Sequence, residues 1–180
     1  MHYAVTALSQ RFDVKNRFWR SRSCGIVALK MVLDFWHREG AIRRMPPTIP
    51  SLVRLAHNRG AYIRSVGWSH RGLAMVAKHF GLAGQNYDWA KLTPTRAFPK
   101  LKKELRRGPV LASIYGNLDP KRHGHLVAIT GIGKGVVLYL DPDSKTRSGI
   151  ARRASVKKFL IGWKRRIIVA YPKRKPGYKT

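Results

Sequence analysis

The sequence predicts an α+β fold, with a helical N-terminal half and an antiparallel sheet in the C-terminal half. Two observations carry this expectation. Apolar residues recur at helical spacing as far as Leu105, and beyond Pro109 the pattern becomes that of short strands. No internal repeat and no low-complexity linker divides the chain. At 180 residues, 44% hydrophobic and 10% aromatic, it suits one folded domain. That domain is expected over 1–171, with 172–180 a basic Pro/Gly tail.

Residues 1–23 carry few core signals beyond Val14 and Phe18-Trp19, which predicts an irregular lead-in with one short strand. From Ser23 the pattern is dense: Ile26, Leu29, Leu33 and Trp36, with Val27, Met31 and Val32 between them. This predicts a helix of about four turns, apolar almost all round and therefore buried. Ser23 is the expected N-cap, and Glu39-Gly40 the end. Pro46, Pro47 and Pro50 then break the chain, and further helices are expected over 51–58, 70–80 and 95–107. Strands follow at 110–115, 125–132 and 136–140, the last two joined by a tight Gly133-Lys134-Gly135 turn. A helix over 155–162 and a strand over 166–171 complete the reading.

Thirty-seven Lys and Arg stand against eight Asp and Glu, a formal net charge of +29. Such a surface attracts polyanions through forces that salt screens. The basic residues run along the whole chain, with one concentration in Lys164 to Lys179, so the charge describes solubility and non-specific association before any particular partner. The apolar runs are far too short to span a membrane. No secretory signal is visible in Met1 to Gln10, so a cytoplasmic location is expected, with signal-less export compatible.

One cysteine excludes an internal disulfide and a multi-cysteine zinc site. Cys24 falls in the first turn of the buried helix, where free amide N–H groups and the positive dipole end favour a thiolate. Arg20 and Arg22 act in the same direction, and Gly25 keeps the approach to the sulfur clear of a side chain. A nucleophile needs a base and an orienting group. Among seven histidines, His125 opens a strand directly after Gly124, which puts its imidazole at the mouth of the sheet; His123 falls in an exposed loop. Asp141 and Asp143 follow the next strand. An antiparallel return brings Asp141 level with His125, while Asp143 is expected to close the Asp-Pro-Asp-Ser turn by local hydrogen bonds. His123 and His125, two apart in a strand, suit joint metal ligation poorly, and no metal or cofactor is implied.

Three separated blocks of sequence, and a fourth stretch after them, resemble one known family. The run from Ser23 to Trp36 resembles the nucleophile helix of the double-glycine leader peptidases, the bacteriocin-processing family C thirty-nine of the papain-like clan. Gly124 to Ile132 is similar to its histidine strand, and Val137 to Pro142 to its Asp-Pro element, 16 residues on from His125. Val156 to Trp163 resembles the helix before its last strand. The resemblance covers about 24–171 and implies a papain-like cysteine peptidase fold, with Cys24 as nucleophile, His125 as base and Asp141 as orienter. It implies hydrolysis of a peptide or protein substrate through an acyl-enzyme, in a stand-alone domain. In one place the sequence departs from the family, which carries a Gln about six residues before the nucleophile as an oxyanion donor. Phe18 stands there, and Asn16 is expected to substitute, with Gln10 and Arg20 as the alternatives. The competing reading is a catalytically weak or inactive peptidase-like module that binds nucleic acid or another polyanion through its basic surface. Against it, the five tryptophans do not interleave with basic residues as in RNA-binding motifs, and Gly131 to Gly135 lies between strands instead of before a helix.

Overall fold

A computed structural model describes residues 2–173. Helix α1 (Arg17–Arg20) precedes the long helix α2 (Cys24–Arg38), then α3 (Ile49–Asn58). A two-stranded hairpin, β1 (Tyr62–Ile63) and β2 (Gly67–Trp68), leads into α4 (His70–His79), β3 (Leu82–Asp88) and α5 (Pro94–Leu105). Strands β4 (Val110–Tyr115), β5 (Gly124–Gly133), β6 (Val136–Leu140) and β7 (Ala151–Ser155) follow, with α6 (Val156–Gly162) and β8 (Trp163–Pro172) last. The strands form one antiparallel sheet in the order β3-β8-β4-β5-β6-β7.

Ten of the fifteen residues of α2 are buried, from Gly25 to Trp36. The ion pair of Lys30 with Asp34 marks its polar stripe. The helix lies against β5 and is flanked by α3 and α4. As expected, it stops at Glu39, with Gly40 in the left-handed region at φ 74° that favours glycine. Ser23 occupies the N-cap position, but its buried hydroxyl makes no capping bond and has no hydrogen-bond partner among the described residues. Its φ of −102° and ψ of 16° fall outside the extended geometry that a capping side chain requires.

The turn between β5 and β6 is the expected hairpin. Lys134 (φ 47°) and Gly135 (φ 74°) both sit in the left-handed region, as a two-residue turn matched to strand twist demands. Other elements differ from the sequence reading. The lead-in forms no strand; it makes a single bridge, His2 to Gly131, and one bond from Tyr3 N–H to the Thr130 carbonyl at 2.8 Å. β3 and β7 were not expected, nor was the β1–β2 hairpin. β8 runs from Trp163 rather than Arg166, and Pro172, assigned to the tail, ends that strand. The rest of the expected tail, 174–180, lies outside the described residues.

Gly25 fixes how closely α2 approaches the sheet. A Cβ there would stand 2.9 Å from both Leu126 Cδ1 and Leu73 Cδ1, and 3.1 Å from Trp68 Cβ. The glycine therefore serves helix-to-sheet packing, not the open approach to sulfur expected from the sequence. We predict that Gly25→Ala costs about 1–3 kcal/mol by overpacking. A lowered denaturant midpoint with unchanged m-value is the expected readout.

Candidate active site

Cys24 opens α2, so the first-turn amides have no carbonyl partner within the helix. Cys24 is partly buried, and the N–H groups of Gly25 and Leu126 both donate to its sulfur. His125, near the start of β5, hydrogen-bonds the same sulfur. The other face of the imidazole is taken by Asp141, one residue past β6, with His125 Nε2 at 2.7 Å from Asp141 Oδ1. The two side chains are 12% and 4% exposed. A β-bulge in β5 between Ile129 and Gly131 adjusts the register so that Leu140 faces Ala128 and the residue after it reaches back to His125.

Asp141 has further partners, and its carbonyl accepts from the Ser144 N–H. Arg152, from β7, places Nε 3.3 Å from Oδ2; the Asp143 N–H donates to Oδ1 at 2.9 Å; and the Asp141 N–H bonds the Ile150 carbonyl. The turn is thus closed by Asp141, not by Asp143 as the sequence suggested. Asp143 instead faces the lead-in, where its Oδ1 accepts from Gln10 Nε2 and pairs with Arg11 Nε, each at 2.9 Å.

These contacts set the charge states. Burial pushes the Cys24 thiol up, but the hydrogen bond and charge of His125, with the two N–H donors, outweigh it and leave its pKa lowered. Burial pulls His125 down, yet Asp141 and the sulfur together raise it to about 10. Burial also opposes ionisation of Asp141, and the His125 hydrogen bond and charge, then Arg152 and the Asp143 N–H, hold it below its ordinary value. Through neutral pH the geometry favours a thiolate beside an imidazolium.

Asn16 is not part of this arrangement. It is the exposed N-cap of α1, its Oδ1 accepting from Trp19 N–H at 3.1 Å. Arg20 is spent on the Val14 and Lys15 carbonyls. Gln10 is the alternative that the fold brings to the cleft. It lines the cavity of about 890 Å³ that also contains Cys24, His125 and Asp141. Its backbone N–H bonds the Pro142 carbonyl at 2.9 Å, and its Oε1 is buried without a partner among the described residues. Asp143 fixes the amide: reversing it would set Oε1 against the carboxylate, so Nε2 is the donor on the Asp143 side. Arg152 carried no signal in the sequence, because its short polar strand was not recognised.

The cleft continues past Cys24 and His125 into a second arm of about 660 Å³, walled by Tyr62 and Trp68. Among the described residues, no group of three or more His, Cys, Asp or Glu could hold a metal ion. No helix among them is long and apolar enough to cross a membrane.

The profile of the Peptidase C39 like family matches residues 4–170. The chain belongs to that family. No curated protein sequence matches it. Among solved structures, it is similar to a double glycine motif protease from an AMS/PCAT transporter, crystallised in complex with its leader peptide. That likeness has a TM-score of 0.62 and 14% identity, over 96% of this chain and 94% of the other. A putative C39-like peptidase from Bacillus anthracis gives a TM-score of 0.63 at 17% identity, covering 96% of each chain. The peptidase domain of Streptococcus ComA gives 0.61 at 20% identity, over 85% and 93%. The fold is therefore the papain-like fold of C39 cysteine peptidases, as the sequence resemblance implied.

The Cys24–His125 coupling has a direct readout. A thiol of lowered pKa stays anionic at pH values where a free thiol is protonated, so alkylation of Cys24 by iodoacetamide rises at lower pH than for a free cysteine. His125→Ala is expected to move the midpoint up, toward the free-thiol value of about 8.5. An unchanged midpoint in the variant would mean that the two groups titrate independently.

Proposed function

We propose that this C39-like protein is a cysteine peptidase that hydrolyses peptide bonds through a Cys24-His125-Asp141 triad. The observation that carries the reading is the continuous hydrogen-bonded series from Asp141 through His125 to the Cys24 sulfur, at the N-terminus of a buried helix and open to a cleft. In this reading the Cys24 thiolate attacks the carbonyl carbon of the scissile amide. His125 then gives its sulfur-side proton to the leaving amine, which departs as the acyl-enzyme forms. Water attacks the thioester next, with His125 as the base that takes its proton, and the carboxylic acid leaves as the Cys24 thiolate and the His125 imidazolium are regenerated. Asp141 keeps the imidazole oriented and supports its cationic form.

The tetrahedral oxyanion would be met by the Cys24 backbone N–H and by Gln10 Nε2. Asp143 and the Pro142 carbonyl anchor Gln10 to the same turn that supplies Asp141, so donor and triad are held by one piece of backbone.

Cleavage of a quenched-fluorescent peptide library tests the reading. Cys24→Ala is expected to abolish turnover, and Gln10→Ala to lower kcat/KM by about 10²–10³-fold. Asn16→Ala removes only a helix cap and is expected to cost about 1 kcal/mol of stability or less without changing kcat. A Cys24→Ala protein that still cleaves would overturn the assignment.

A further inference from the structure

The eight acidic side chains are all matched already. Each lies within ion-pair distance of a Lys, Arg or His, so among the described residues most of the Lys and Arg lack a carboxylate partner. Where the unmatched cations gather beside Cys24 is informative, because the two arms of the cleft differ. In the Gln10 arm Lys121 and Lys145 hold no carboxylate among the described residues, but Asp141 and Asp143 line that arm and its guanidinium groups are matched: Arg11 by Asp143, Arg152 by Asp141 and Arg122 by Asp119.

The Trp68 arm contains no acidic residue in its lining. Arg22, Arg64 and Lys164 all line it, and none of them has a carboxylate partner among the described residues. Arg166 is paired with Asp88 at 2.8 Å. The cations are partly fixed in place. Lys164 Nζ lies 4.8 Å from the centre of the Tyr115 ring and against Gly124, the residue before His125. The Arg22 guanidinium rests 4.5 Å over the Phe18 ring. Its backbone carbonyl accepts from Trp68 Nε1 at 2.6 Å, which ties the β1–β2 hairpin to the start of α2.

We propose that the Trp68 arm binds carboxylate side chains of the peptide substrate, so that the enzyme selects Asp or Glu on one side of the scissile bond. The proposal rests on the peptidase reading above and adds the substrate class. A peptide whose carbonyl reaches Cys24 must thread residues into this arm, and a carboxylate there meets several cations inside a partly enclosed wall, where screening is weaker than on an open surface. A lysine at the same position meets like charge. The aromatic rings favour a peptide over nucleic acid: Trp19, Tyr62 and Trp68 pack on one another, with ring centres 5.0 Å apart for Trp19–Tyr62 and Tyr62–Trp68, instead of standing free to stack on bases.

Two series of thiol-alkylating peptides test this. One carries a C-terminal chloromethyl ketone and presents the residues before the scissile position; the other carries an N-terminal chloroacetyl group and presents those after it. In each, the Cys24 thiolate displaces chloride. Second-order rates are measured with Glu, Gln or Lys at the flanking positions, at low salt and at high salt. The expected result is a Glu-over-Gln ratio of about tenfold in one series only, reversed for Lys and shrinking in high salt. In Arg64→Ala and Lys164→Ala the ratio is expected to fall several-fold; taken within each variant, it is insensitive to a general loss of reactivity. Equal Glu and Gln rates in both series, or a ratio that neither variant changes, would overturn the proposal. Protection of Cys24 from iodoacetamide by a single-stranded oligonucleotide, with no preference among the peptides, would overturn it in favour of nucleic acid. Failure of the peptidase reading looks different: Cys24 would then react with iodoacetamide no faster than a free thiol.

Discussion

The contact between the first turn of α2 and strand β5 sets the geometry on which everything else depends. Gly25 lets the helix come so close to Leu126 that the Leu126 N–H reaches the Cys24 sulfur, and the residue before Leu126 is His125. Helix packing and the placing of Cys24 beside His125 are therefore one constraint. A buried helix that is apolar almost all round cannot rotate to relieve strain without exposing Ile26, Leu29 or Leu33, all fully buried. The rigidity that holds the thiolate near the imidazolium is the rigidity of the core itself.

A second constraint acts at the far side of the imidazole. The segment from Leu140 to Ser144 leaves the sheet at the end of β6, and almost every polar group in it is spoken for. Asp141 takes His125, Arg152 and the Asp143 N–H; the Pro142 carbonyl takes Gln10 N–H; Asp143 takes Gln10 and Arg11. An ionised carboxylate only 4% exposed is tolerable only with such a set of donors. The same turn thus solves a burial problem and positions two groups of the site, the Asp141 carboxylate and the Gln10 amide. Loosening it should disturb both together.

The parts legible in the sequence were those with strong local signals. The α2 pattern, the Lys134-Gly135 turn and the alternation through β4 to β6 depend on short-range periodicity, and they brought Cys24, His125 and Asp141 to one place. β3 and β7 were hidden for a different reason. Gln85 and Asn86 in β3, and Arg152 and Arg153 in β7, are not strand-forming types; these segments are strands because β8 and β6 present free edges to them. Gln10 was outranked because distance along the chain stood in for distance in space. Residues 11–23 loop out as a turn and the short helix α1, and the chain on either side returns to the cleft, so Gln10 lies fourteen positions before Cys24 and still lines the same cavity. Asn16, closer in sequence, is consumed by capping that excursion.

The charge that dominates the composition acquires meaning only through this geometry. A positive field around the cleft stabilises the Cys24 thiolate and destabilises the His125 imidazolium, so on the pair as a whole its effect largely cancels. What keeps the imidazolium is Asp141, placed at 2.7 Å on the face away from the sulfur. Asp141 is itself held by Arg152, so in that arm of the cleft the guanidinium groups are matched to carboxylates of this chain. The Trp68 arm has no such match, since Arg64 and Lys164 hold no carboxylate among the described residues. A chain with so few acids cannot neutralise every part of its surface. This one places two of them, Asp141 and Asp143, around the imidazole and its amide neighbour and none in the adjoining arm, which makes carboxylates brought by a ligand the natural complement there.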